Sequence, residues 1–169
     1  MPNWCENELR ISGEREYVIA FLKDAGYFNT DESTFSFNGL RPMPEFLRKI
    51  HTGSTFVDGV QYGRWYEDDF KNVVPITEEE SQSLCEEYGA CDWYDWANKY
   101  WGTKWDASNV DYMAVELEDP WAYAELRFET AWGPPESLYD YLVNKYPNVE
   151  LDWFYKEPAM RFAGWLGAD

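Results

Sequence analysis

The chain has 169 residues, 45% of them hydrophobic and 20% aromatic, and its 32 acids against 14 bases give a net charge of -18. That length fits one domain, or one domain carrying an insertion, and so many rings exclude a disordered chain, which lacks them. A surface this acidic repels nucleic acid and anionic lipid and attracts basic proteins and cations.

Residues 8–12 alternate, with Leu9 and Ile11 apolar between Glu8, Arg10 and Ser12, as a strand with one buried face does. Gly13 breaks the strand. Tyr17, Val18, Phe21, Leu22 and Ala25 then recur at helical spacing up to a closing Gly26. Residues 34–37 read as a short strand or part of a connection. Leu40-Arg41-Pro42-Met43-Pro44 reads as a rigid extended loop, because each proline turns the residue before it away from the helical region. Gly53, Gly59 and Gly63 predict an exposed loop over residues 52–63. Thr77 and Glu80 form a T-x-x-E capping box ahead of Leu84 and Tyr88. Asp92 opens a second helix whose Trp93, Trp96, Ala97, Tyr100 and Trp101 follow i, i+3, i+4, i+7, i+8, and Gly102 ends it.

The last third is the most regular. Residues 110–117 predict a strand, Asp119-Pro120 a turn, and residues 123–132 a second strand. Leu126, Phe128 and Trp132 fall on one of its faces, and Glu125, Arg127 and Glu129 on the other. Pro134-Pro135-Glu136 starts a helix that buries Leu138, Tyr141, Leu142 and Tyr146 and stops at Pro147. Val149, Leu151, Trp153 and Tyr155 alternate as a final strand. With residues 27–109 set aside as a mostly helical insertion, the order is β-α-β-β-α-β. That predicts an α+β chain on the ferredoxin-like split βαβ plan: one domain over residues 1–169, a core over about 1–26 and 110–157, and a tail over 158–169.

Several motifs stand out against this framework. The opening Met1-Pro2-Asn3-Trp4-Cys5-x-Asn7-x-Leu9-x-Ile11-x-Gly13 resembles the start of the YubB-like family of plasmid and phage proteins. Trp101-Gly102-Thr103-Lys104-Trp105-Asp106-Ala107 resembles that family's central motif. Phe128-x-Thr130-x-Trp132-x-Pro134-Pro135 and Tyr155-x-Glu157-Pro158-x-Met160-x-Phe162-x-Gly164 are similar to its later ones. Ala159, where the family has glycine, and Arg161 depart from the pattern and predict a different turn there. The resemblance implies a ferredoxin-like domain and an origin on a mobile element. It supplies no activity, since the family is a domain of unknown function.

No catalytic, metal or cofactor site is expected. His51 is the single histidine, and neither a Ser-His-Asp nor a Cys-His arrangement forms around it. Phosphate loops are absent. Cys5, Cys85 and Cys91 are odd in number and lack zinc-ligand spacing, which reads as a reducing compartment without a disulfide framework. Met1-Pro2-Asn3-Trp4 has neither the basic region nor the apolar run of a signal peptide, so the expected location is the cytoplasm of a bacterial host. The outward residues of the central strands, Glu8, Arg10, Tyr123, Glu125, Arg127 and Glu129, form a mixed charge ladder with a single ring. RNA-binding sheets of this plan are aromatic and basic instead.

The acids are unevenly spread. Residues 1–63 hold 9 acids and 6 bases, whereas residues 64–95 hold 10 acids and 2 bases. The expectation is a non-enzymatic protein of phage or plasmid origin that inhibits a host defence protein by occupying its basic nucleic-acid-binding surface. The contacting acids would be Glu67, Asp68, Asp69, Glu78, Glu79, Glu80, Glu86, Glu87, Asp92 and Asp95. Duplex DNA carries one charge per about 1.7 Å, denser than one helix can match, so several elements must pool their charge. The alternative is a nucleotide-like ligand held by Trp101, Lys104, Trp105 and Asp106, a cation and an acceptor among stacking rings.

Overall fold

The computed structural model describes residues 3–29 and 34–167; Met1 and Pro2 of the opening motif, residues 30–33, and Ala168 and Asp169 lie outside them. In chain order the elements are β1 (Trp4–Glu14), α1 (Arg15–Ala25), α2 (Phe37–Leu40), α3 (Glu45–Lys49), β2 (His51–Val57), β3 (Val60–Glu67), β4 (Val73–Pro75), α4 (Glu78–Tyr88), α5 (Trp93–Tyr100), β5 (Ser108–Leu117), β6 (Trp121–Ala131), α6 (Glu136–Lys145), β7 (Val149–Glu157) and β8 (Phe162–Trp165). The fold is α+β, with eight described strands in two antiparallel sheets. The chain divides into two compact units, one of Met1–Pro42 with Trp101–Asp169, the other of Met43–Tyr100.

The larger unit holds the sheet β5-β6-β1-β7-β8. Period-two patterning gives it one buried face: Cys5, Asn7, Leu9 and Ile11 of β1, Ala122, Ala124, Leu126 and Phe128 of β6, and Val149, Leu151 and Trp153 of β7. Helix α1 lays Val18, Phe21, Leu22 and Ala25 on this face, and Gly26 closes the helix at a φ of 94°, open to glycine at no steric cost. Helix α6 covers the same face, with Leu138 and Leu142 buried and the Tyr139 ring 6.2 Å from that of Trp153. Asn7, Thr130 and the Trp153 indole are paired within this core. Trp153 Nε1 donates to Asn7 Oδ1 (3.0 Å), and Asn7 Nδ2 donates to Thr130 Oγ1 (2.9 Å) and the Cys5 carbonyl (3.0 Å), avoiding the 1–3 kcal/mol that a buried unpaired group costs, to order of magnitude.

Two expectations for this unit change. Of the two readings of residues 34–37 the connection holds: they lead into the short α2, and Phe35, Phe37 and Leu40 plug the core, Phe35 lying 5.0 Å from Phe128 ring to ring. Trp132 leaves the buried face of β6, because its backbone turns to a φ of 72° and leaves the ring 53% exposed. The tail adds β8 on β7 after a turn in which Arg161 takes a φ of 60°.

The smaller unit corrects the mostly helical insertion. Residues 52–63 are not a loop but a hairpin, β2 with β3, and β4 completes a three-stranded sheet β2-β3-β4. Asp58 (φ 51°) and Gly59 (φ 79°) make its turn, the positive-φ pair that two-residue hairpins favour. The capping box holds: Thr77 Oγ1 accepts from Glu80 N–H (3.2 Å) and Glu80 Oε2 accepts from Thr77 N–H (2.8 Å). Cys85 and Cys91 are bonded to each other, against the expectation of no disulfide, and tie the end of α4 to the approach to α5. Among the described residues, no helix is long and apolar enough to cross a membrane.

Candidate partner-binding surfaces

Helix α4 concentrates charge because its sequence, EEESQSLCEEY, turns Ser81, Leu84, Cys85 and Tyr88 inward and every glutamate outward. Glu78 and Glu79 stand in the first turn, where the helix dipole favours anions; Glu86 and Glu87 stand in the last, where it does not. Lys99 compensates there, its Nζ 2.8 Å from the Gly89 carbonyl that follows the helix. Glu80 also belongs to this face, but its carboxylate is held by the Thr77 N–H and hydroxyl, which keep it below the ordinary 4.5.

The other expected contact acids separate by role. Glu67 pairs with Lys71 at 3.6 Å. Asp68 organises the turn after β3, accepting from the side chain and backbone of Asn72 and from the Phe70 N–H, which lower its pKa from 3.8. Asp69 beside it is exposed. Asp92 is not at the surface: 1% exposed, it caps α5 through Asp95 N–H (2.9 Å) and takes Arg64 Nε at 2.7 Å. Arg64 reaches Asp95 as well (3.4 Å) and donates to Ser81 Oγ (3.0 Å). The exposed acids of α4 outside the capping box are thus Glu78, Glu79, Glu86 and Glu87. Beneath them Phe46, Tyr66, Val74, Pro75, Ile76 and Leu84 line a groove of about 280 Å³ with Glu80 and Glu87 at its edge. The sequence concealed it because Phe46, Tyr66 and Val74 lie in short segments that carry no periodic signal.

The W-G-T-K-W-D motif divides between inside and outside. Trp101 is buried, with its Nε1 donating to the Arg41 carbonyl at 3.0 Å. Thr103 is buried and donates to the Ala131 carbonyl (3.0 Å). The Asp106 carboxylate takes Phe37 N–H (2.6 Å), Asn38 N–H (3.2 Å), Ser36 Oγ (2.8 Å) and Ala107 N–H (2.8 Å). It therefore serves as the anion at the start of α2, a structural duty that leaves no acceptor for a ligand. Lys104 and Trp105 remain outward, with Nζ 4.5 Å from the ring centre and Trp4 6.1 Å from Trp105.

The face of the larger sheet opposite α1 and α6 carries a second charged surface. Strand register sets out its rows. One reads Asp111, Arg127, Glu8, Phe154 and Trp165. On one side lies Glu129, Glu6 and Lys156; on the other, Glu125, Arg10 and Asp152, then Glu116, Tyr123, Ser12 and Glu150. These rows hold eight acids and three bases. All three bases pair within the face: Arg10 with Glu8 (3.3 Å) and Glu125 (3.5 Å), Arg127 with Glu8 (3.4 Å), and Lys156 with Glu6 (2.9 Å). A depression of about 400 Å³ lies among Glu6, Glu8, Asp111, Arg127, Glu129 and Phe154. The charge ladder was legible in β1 and β6. Phe154 and Trp165 were not, because β7 reads from its buried side and β8 carries no periodic signal.

His51 stacks on Trp65, rings 4.2 Å apart. Among the described residues no cluster of three His, Cys, Asp or Glu side chains could hold a metal ion.

No protein-family model matches the chain, and no curated protein matches it. The fold is similar to the crystal structure of a protein api92 from Yersinia pseudotuberculosis (family-model DUF1281), with a TM-score of 0.50 and 12% sequence identity over 98% of this chain and 93% of that one. At that identity the likeness is one of fold.

Proposed function

We propose that this chain is a non-enzymatic acidic protein that inhibits a basic, nucleic-acid-binding protein by covering its nucleic-acid surface. The observation that carries the reading is the outward face of α4, with Glu78, Glu79, Glu86 and Glu87 on a helix that bears no base. Protein surfaces that bind phosphates are complementary to such a face. The resemblance of the sequence motifs to those of plasmid and phage proteins favours a host defence effector as the target and a bacterial cytoplasm as the place. In that compartment the Cys85–Cys91 pair is reduced. We also read the larger unit as ferredoxin-like: β1, α1, β5, β6, α6 and β7 follow β-α-β-β-α-β, and the sheet order β5-β6-β1-β7 supports the split arrangement.

The test is capture of a basic nuclease or DNA-binding complex from bacterial lysate, with release by salt and by competing DNA. Reversal of Glu78, Glu79, Glu86 and Glu87 to Lys, sparing the Glu80 capping box, abolishes capture; capture that persists in this variant refutes the reading. A second reading, a flat nucleotide-like ligand on Trp105, draws on the outward Lys104–Trp105 pair beside Trp4. It predicts a thermal shift with nucleotides that Trp105→Ala removes.

A further inference from the structure

We propose that the uncovered face of the β5-β6-β1-β7-β8 sheet is a docking surface for an arginine-bearing segment of a basic protein. This rests on the reading of the chain as a binder of basic proteins, and adds a surface on the larger unit and the side chain it selects. Both helices packed on this sheet, α1 and α6, lie on its other face, and no described element of the larger unit covers this one.

Charge sets the sign of the occupant. Eight acids meet three bases, and Asp111, Glu116, Glu150 and Asp152 have no ion pair among the described residues. Phosphate-bearing partners are repelled, and a cationic segment is drawn in. The Phe154–Trp165 pair sets its identity. The two rings lie 5.2 Å apart, Trp165 is 50% exposed, and both share a row with Glu8 and Asp111. A guanidinium can take a carboxylate side-on with two hydrogen bonds while its plane rests on an aromatic ring; an ammonium offers only a point charge. The depression of about 400 Å³ is at the lower end of binding-site volumes, suited to side chains of a docked segment.

The probe is fluorescein-labelled nona-arginine, with nona-lysine of equal charge as control, followed by fluorescence anisotropy and by amide NMR of the intact chain. The D111N/E150Q/D152N variant removes three carboxylates that hold no ion pair among the described residues, and E78Q/E79Q/E86Q removes the same charge from α4. The expected result is a loss of nona-arginine affinity on the order of tenfold in the first variant, clearly greater than in the second. Trp165→Ala weakens nona-arginine about threefold while leaving nona-lysine nearly unchanged, and Trp165→Phe restores most of the loss. Amide shifts should fall on β1, β6, β7 and β8. Equal losses in the two charge variants, or an unchanged affinity in Trp165→Ala, overturn the proposal. Shifts confined to α4 overturn it and leave the proposed function standing. An absence of binding by either peptide at low salt overturns both.

Discussion

Asp106→Ala separates a structural motif from a ligand pocket. In the fold this carboxylate receives three donors from the segment that plugs the core, Ser36 Oγ, Phe37 N–H and Asn38 N–H, besides Ala107 N–H. Each hydrogen bond to a charged acceptor contributes about 1.5–3 kcal/mol where water is excluded. The site is only part-buried, so water replaces some of what is lost. That discount brings the expected cost to about 3 kcal/mol. For a chain of this size the change lowers Tm by roughly 6–12 °C. The loss acts through Phe35, Phe37 and Leu40, which the pinned segment delivers to the core. Asp106→Asn should cost less, because its amide oxygen still accepts. Lys104→Ala and Trp105→Ala should cost less, about 1–2 kcal/mol, because Trp105 is 37% exposed and its ring packs on the exposed Trp4 and on Lys104. Thermal and urea unfolding of the four variants, followed by circular dichroism, measures this. An Asp106→Ala protein as stable as the parent, or a Trp105→Ala protein equally destabilised, refutes the structural assignment of the carboxylate.

Thiol chemistry tests the buried and the bonded cysteines together. Burial, opposed by the Thr130 hydrogen bond, pushes the Cys5 thiol up to about 11. The folded protein with the Cys85–Cys91 bond formed should therefore show no thiol to a colorimetric reagent at pH 8, and two after mild reduction. The Cys85–Cys91 bond closes a loop only six residues apart in sequence; its reduction should cost about 2 kcal/mol by loop entropy, read as a lower urea midpoint. Glu157 is 1% exposed; Oε2 accepts the Met160 N–H and Oε1 has no hydrogen-bond partner among the described residues. Glu157→Gln should keep the turn, because its amide oxygen still accepts the Met160 N–H, whereas Glu157→Ala leaves that N–H without its acceptor and should cost about 1–2 kcal/mol; a Tm unchanged in Glu157→Ala would contradict this. Hydrogen bonds hold the carboxyl groups of Asp68 and Glu80 below their ordinary values of 3.8 and 4.5. Their contribution to folding is therefore complete above those values and is lost as pH falls through the lowered ones. Side-chain carboxyl NMR titration should place both midpoints below those values, with the Phe70, Asn72 and Thr77 amides moving in step.

The elements that packing makes periodic could be read in the sequence. β1, α1, β6, α6 and β7 each turn one face to the same core, so Leu9 and Ile11, Phe21 and Leu22, Leu126 and Phe128, Leu138 and Leu142, and Leu151 and Trp153 announce strand or helix by spacing alone. The capping box at Thr77 and Glu80 is equally local, because its two hydrogen bonds lie within one turn. Other features depended on partners distant in the chain. The β2–β3 hairpin exposes both faces along much of its length, which erased the alternation that marks a half-buried strand and left its glycines as the visible signal. Whether an acid faces solvent was likewise undecidable locally. Asp92 and Glu86 are alike in sequence context, but only Asp92 meets Arg64, twenty-eight residues away, and is drawn inside with it. Asp106 reads as a ligand acceptor until the fold delivers the 36–38 backbone to it. Charge and periodicity are properties of single segments, so the sequence by itself determined the acidic character and the principal strands and helices. Burial and pairing depend on contacts between distant segments, and for that reason only the tertiary structure decided which carboxylates remain for a partner.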